Sequence, residues 1–164
     1  NLLTAFAAGF VVSLFEGTIT QIVALAAFLP ILAGQSGNTG CQALAITLRG
    51  ITLGDLNSHP VRKLIAKELI LGAMNGLLTG TVAGVAMWWH AGGSGNDQAM
   101  VLGLVILLAM TAACMASGLF GVLVPLTLQR FGADPCTASS IFLTTGTDIA
   151  GMGLMLVLAT MLVL

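Results

Sequence analysis

The sequence predicts an all-α integral membrane protein of five transmembrane helices, with a cytoplasmic N-terminus and a long second helix interrupted by a glycine-rich segment. Three observations carry that prediction. Hydrophobic residues make up 57% of the 164 and charged residues 7%, against roughly 25% charged in a soluble domain, so lipid must be the main solvent. A hydrocarbon core about 30 Å thick takes roughly 20 apolar residues of helix, and the chain divides into five apolar runs separated by polar or glycine-rich stretches. All five Lys and Arg residues, Arg49, Arg62, Lys63, Lys67 and Arg130, cluster around the second and fourth connections.

The first run, Leu2 to Phe15, is short for a crossing at 1.5 Å per residue, so its opening turn is expected upstream of Asn1; Glu16-Gly17 close it. It lacks the basic n-region and small-residue cleavage site of a signal peptide. The second run starts at Ile19, passes through Gly34-Gln35-Ser36-Gly37-Asn38-Thr39-Gly40-Cys41-Gln42 and ends near Leu48. The segment Ile51 to Arg62, with Asp55, Asn57, Ser58, His59 and Pro60, has the composition of a turn. A third run follows to about Trp89, a loop over Ala91 to Asp97, a fourth run from Ala99 to Leu128 with Pro125 kinking its end, and a fifth from Thr137 to Leu164. Residues 1–164 therefore read as one membrane domain.

Small residues recur every four positions at Gly72, Gly76, Gly80 and Gly84, and at Ala5, Gly9, Ser13 and Gly17, which predicts two ridges for close helix approach. Cations flank the cytoplasmic ends of spans, which puts both basic connections inside, the N-terminus inside and the C-terminus outside. Trp88 and Trp89 suit the outer interfacial belt.

The composition excludes several functions. There is no basic patch with aromatic platforms for nucleic acid. Cys41, Cys114 and Cys136 show no CxxC or Cys/His spacing for zinc and read as apolar fillers, and the eight Met residues do not cluster as Cu(I) ligands would.

The chemistry concentrates at two loci. Asp148 lies about ten residues into the fifth run, well inside the hydrocarbon depth. A carboxylate there costs about 2.5–3.5 kcal/mol on insertion scales and commonly marks an ion or substrate path; the plainer reading is a hydrogen-bonded Asp joining two helices in a non-transporting interaction module. The Gly34–Gln42 stretch is the second locus. Broken backbone at membrane depth is tolerated where it is buried or lines a wet cavity, and freed carbonyls are hard oxygen ligands suited to Mg²⁺ or Ca²⁺. One carboxylate matches a divalent ion poorly, but a two-fold axis along the path would supply a second copy. Gly34-Gln35-Ser36-Gly37 also has the GxSG form of intramembrane serine proteases, yet His59 and His90 fall near opposite interfaces, away from Ser36. No enzyme is expected.

The run Pro30-Ile31-Leu32-Ala33-Gly34-Gln35-Ser36-Gly37-Asn38-Thr39-Gly40-Cys41-Gln42, followed by Arg49, resembles the P-x-L-x-G-x-G-G-N-x-G-x-Q…R signature of MgtE magnesium channels. Phe15-Glu16, Lys67-Glu68, Asp134-Pro135 and Asp148-Ile149-Ala150-Gly151 resemble family landmarks in order. The resemblance implies a homodimer of five-helix protomers in a prokaryotic inner membrane, with Mg²⁺ passing along the dimer axis between the second and fifth helices. It implies that Asp148 is the central acidic residue, that Gly34, Gly37 and Thr144 offer backbone oxygens to a hydrated ion, that Asn38 lines the path with Gln42, and that Glu16 lies near the outer mouth. The chain differs from the pattern at Ser36, Cys41, Ala45 and Ser140, where the family often has Gly, Asn, Thr and Asn. Fewer oxygen ligands there would admit softer ions such as Co²⁺, Mn²⁺ or Zn²⁺, and a H⁺- or Na⁺-coupled transporter is the alternative to a channel. The family's soluble N-terminal and CBS regulatory domains have no counterpart in this sequence.

Overall fold

The computed structural model describes residues 2–54 and 60–164, without the side chain of Ala138. The described residues are helical with short connections: α1 (Leu2–Ser13), α2 (Glu16–Gln21), α3 (Ala24–Leu53), α4 (Val61–Gly93), α5 (Ala99–Arg130) and α6 (Pro135–Val163). In lipid this is the economical solution, because a helix satisfies its own backbone N–H and C=O groups. Gly54, in the left-handed region at φ 73°, ends α3, and its N–H donates to the Ile51 carbonyl; the turn read at Asp55, Asn57, Ser58 and His59 lies outside the described residues. At the head of α6, Asp134 caps the helix ahead of Pro135, accepting from the Cys136 N–H at 3.0 Å and from the Thr137 hydroxyl. Those two bonds, the Thr137 hydroxyl foremost, hold the exposed Asp134 carboxyl below the usual carboxylate range.

The glycine ridge of the third run is a packing device. A Cβ at Gly72, Gly76, Gly80 or Gly84 would lie 2.5–3.0 Å from α5 backbone atoms of Cys114, Thr111, Leu107 and Gly103 in turn. Rising positions on α4 meet falling positions on α5, so these helices are antiparallel and their backbones nearly touch. By the same logic Gly40 and Ala43 of α3 meet Ser117 and Gly121 of α5, making that pair parallel, while Gly40 and Ser36 meet Thr147 and Gly151, making α3 and α6 antiparallel. The second ridge is not packed: Gly9 and Gly17 have nothing within 4 Å of a Cβ, and α1 instead sets Val11 against Gly153 of α6. Four-residue spacing says which residues share a face, not whether a neighbour covers it.

The centre of the bundle is α5, whose buried Leu102, Ile106, Met110 and Cys114 pack with Leu25, Leu32, Met87, Met155 and Leu156. Cys114 is the apolar filler expected; Cys41 and Cys136 are exposed.

Two expectations change. Val61–Gly93, Ala99–Arg130 and Ser139–Val163 are long and apolar enough to cross a membrane, whereas α1 is apolar but short; at 30 residues, α3 has the length, but its polar residues dilute its hydropathy. The second helix is also not interrupted where expected. Gly34–Gln42 is continuous helix inside α3, and the breaks fall upstream at Leu14–Phe15 and Ile22–Val23. The propensity cost of the glycines, about 1 kcal/mol each against Ala, is met by the close approach that Gly40 permits to α5 and α6. The carbonyls of Gly34, Gly37 and Thr144 are consequently not freed by a break.

Candidate ion pathway

Along α3, Gly34, Asn38, Cys41, Gln42, Ala45 and Arg49 are exposed, while Leu32, Ser36, Gly40, Ala43 and Thr47 are buried. The helical period puts the first set on one stripe. That stripe is polar at its centre and open, for a Cβ at Gly34 or Gly37 would meet nothing within 4 Å. Each helical carbonyl on it retains a second lone pair, enough to accept from the water of a hydrated ion.

On α6, Gly146 rests against the Phe120 ring of α5, 3.4–3.5 Å from where its Cβ would be. Asp148 is two residues on, about 200° round the helix, so it points away from α5, to the side where the α3 stripe is open. It is half-buried, and among the described residues no hydrogen bond or ion pair reaches its carboxylate. Thr144, one turn earlier on the same face, is exposed; its hydroxyl donates to the Ser140 carbonyl at 2.9 Å, and its carbonyl accepts from Thr147 Oγ1 at 3.1 Å.

The interhelical contacts give the depth. Gly40 faces Thr147 and Leu143, and Gly151 faces Ser36 and Leu32, so Asp148 is level with the Ser36–Gly40 stretch. Asn38 therefore shares its height, with Gly34 one turn to one side and Cys41 and Gln42 one turn to the other. Depth and helical phase together put Gly37, Cys41 and Gly34 on the same side of the α3–α6 pair as Asp148 and Thr144, whereas Asn38 and Ala45 point away from α6 and Gln42 turns toward Asn75 of α4. Glu16 is not among them: the 2.8 Å bond between Thr18 and Thr160 sets it level with the C-terminal part of α6, about 15 Å along the axis from Asp148.

Among the described residues no group of three or more His, Cys, Asp or Glu side chains converges to hold a metal. One protomer therefore offers a single carboxylate amid amides, hydroxyls and carbonyls, a donor set suited to a hard cation that keeps its waters. The protease geometry is absent for the described pair: Ser36 is fully buried with its hydroxyl directed at the Ala33 carbonyl, and His90 is at the far end of α4. His59 lies outside the described residues.

Two polar side chains of α4, Asn75 beside this stripe and Glu68 where α4 meets Gly118 of α5, are not among the site residues expected from the sequence. A recess of about 470 Å³ is lined by Gln35, Asn38, Cys41, Gln42, Ala45 and, from α4, Asn75. The available signal was Asn75 itself, a carboxamide midway along an apolar span between Gly72 and Gly76. Glu68, noted only as a family landmark, is 4% exposed and its Oε1 has no hydrogen-bond partner among the described residues.

Residues 29–158 match the family described as "MgtE: Divalent cation transporter". The chain belongs to the MgtE family. A Bacillus subtilis protein named magnesium transporter MgtE is 32% identical over 148 residues, covering 88% of this chain and 31% of that protein. Proteins of the same name from Enterococcus faecalis and Thermus thermophilus are 31% and 27% identical, covering 86% and 98% of this chain. This MgtE-family chain spans about a third of the length of those relatives. The match includes both the α3 stripe and Asp148, so the resemblance read from Pro30 to Gln42 and from Asp148 to Gly151 holds at the level of the family.

Proposed function

We propose that this chain is the membrane-spanning part of a divalent cation transporter, with Mg²⁺ as the preferred ion, moving it along the open side of α3 and α6. The observation that carries the reading is the equal depth of Asp148 and the open Gly37 face of α3 on that side. A carboxylate without a protein partner, half-buried at membrane depth, is costly unless something cationic shares the site. The relatives' names supply the ion.

A homodimer completes the site. Two copies related by a two-fold axis along the path would face each other through this side, doubling the carboxylates to match the ion's charge. In the bilayer the protomer crosses five times: α1 and α2 together make one passage of about 30 Å, and α3, α4, α5 and α6 make the others. The basic end of the bundle, with Arg49, Arg62, Lys63, Lys67 and Arg130, faces the cytoplasm of a prokaryotic cell, where regulatory domains would bear on it; the N-terminus is inside and Glu16 lies toward the outer mouth.

Mg²⁺ flux into proteoliposomes tests the reading. Asp148→Ala abolishes it and Asp148→Asn strongly reduces it; wild-type flux in both variants would remove Asp148 from the path and favour the non-transporting module. One observation favours a second reading, a transporter of broader selectivity: the thiol of Cys41 is exposed on the stripe, and thiols suit softer ions. Competition by Co²⁺, Mn²⁺ and Zn²⁺, with and without H⁺ or Na⁺ gradients, separates it from a Mg²⁺ channel.

A further inference from the structure

Asn75 closes a ring of hydrogen bonds with two residues of α3. Its Nδ2 donates to Thr39 Oγ1 at 2.7 Å, the Thr39 hydroxyl donates to the Gln35 backbone carbonyl at 3.1 Å, and Gln35 Nε2 donates back to Asn75 Oδ1 at 3.4 Å. Thr39 is buried and also lies 3.6 Å from the Cys114 sulfur of α5, so the ring ties α3 to α4 at a three-helix seam. Thr39 stands beside Gly40, which faces Thr147, and the ring is therefore level with Asp148.

We propose that Asn75 is a positioning residue of the ion path, acting through Gln35. With its NH₂ edge committed to Asn75, the Gln35 carboxamide is held in one orientation at the recess that it lines with Asn38, Cys41, Gln42 and Asn75 itself, which leaves its oxygen free to accept. An acceptor held there takes a hydrogen bond from a water of a hydrated cation. Mg²⁺ dehydrates reluctantly and keeps a near-octahedral shell, whereas Ca²⁺ takes six to eight ligands in flexible geometry. A fixed acceptor set at the distance of a water shell consequently favours Mg²⁺. Without Asn75 the Gln35 side chain is free to rotate and that preference relaxes. This inference rests on the proposed ion path.

The test is flux of Mg²⁺ and of Ca²⁺, each against concentration, by the full chain in liposomes. Asn75→Leu, similar in volume and apolar, raises the half-saturating Mg²⁺ concentration and lowers the Mg²⁺ to Ca²⁺ flux ratio by about threefold or more, the scale of coupling between contacting residues. Gln35→Leu does the same, and the double variant is no worse than either. Thr39→Val removes Asn75's acceptor while keeping the side-chain shape, and shifts the ratio in the same direction; it carries the test if Asn75→Leu does not fold. Equal proportional loss of both fluxes, with ratio and half-saturation unchanged, would overturn the proposal, as would additive effects in the double variant. Asp148→Asn is run beside them. Wild-type flux there removes the ion path itself, whereas lost flux there with an unchanged ratio in Asn75→Leu removes only the role of Asn75.

Discussion

Adding one methyl group at each of two glycines separates packing from function. At Gly76 a Cβ would sit 2.5 Å from the Thr111 Cα and 3.0 Å from the Met110 carbonyl oxygen, both backbone atoms of α5. Ordinary carbon contacts lie at about 3.5–4.0 Å, so Gly76→Ala must push α4 and α5 apart by about 1 Å along a seam where Gly72 and Gly84 are nearly as tight. Overpacking of this kind costs about 1–3 kcal/mol. At Gly37 the same methyl meets nothing within 4 Å. Both substitutions gain the same helix propensity, about 1 kcal/mol, so it cancels and the difference between the variants is the packing cost alone. For a chain of this size that corresponds to an apparent melting midpoint about 2–12 °C lower for Gly76→Ala than for Gly37→Ala, read by thermal unfolding in detergent. Flux runs the other way: Gly37→Ala, with its methyl on the open α3 stripe, loses more Mg²⁺ transport per folded molecule. Equal midpoints, or a lower one for Gly37→Ala, would refute the assignment of these two helix faces.

Cys41 and Cys136 are exposed and Cys114 is buried, so a membrane-permeant thiol reagent should label the first two and spare the third by mass spectrometry. Mg²⁺ should slow labelling at Cys41 alone, and modification should block flux in the native chain but not in Cys41→Ser. At Asp134 the cap bonds lower the carboxyl's pKa below its ordinary 3.8, which makes the ionised form the stabilising one. Its contribution is present above about pH 4 and fades as the pH falls through the lowered value. The gap in thermal midpoint between the native chain and Asp134→Ala should therefore narrow below pH 4, and a gap that stays constant would show that ionisation of the cap is not involved.

The parts of the fold legible in the sequence were those where lipid allows one solution. Asp148 stood out because a carboxylate in an apolar run needs a reason, and Gly72 to Gly84 because a small residue at every fourth position makes a smooth ridge. Ala5 to Gly17 has the same period and is open, since nothing local records which face acquires a neighbour. The glycines and amides from Gly34 to Gln42 read as a helix break because they are weak helix formers, yet the helix runs on: Gly40 needs its missing side chain to admit Leu143, Thr147 and the Ser117 carbonyl. The break at Leu14–Phe15 is announced by the adjoining Glu16-Gly17, whereas the one at Ile22–Val23 contains neither Gly nor Pro and has no polar neighbour beyond Gln21 to mark it. Asn75 was invisible for a related reason. Its importance lies in touching Thr39 and Gln35, a pairing across 36 to 40 residues of chain that no periodicity announces.

Asp148 and the α3 stripe are proposed to share one ion. Replacing Mg²⁺ by Mn²⁺ or Co²⁺ and locating it by anomalous scattering tests that most directly. A peak is expected on the two-fold axis of the dimer, level with Asn38 and within about 5 Å of both Asp148 carboxylates, the reach of one retained water. Density elsewhere, with none at Asp148 while the protein still conducts, would contradict it.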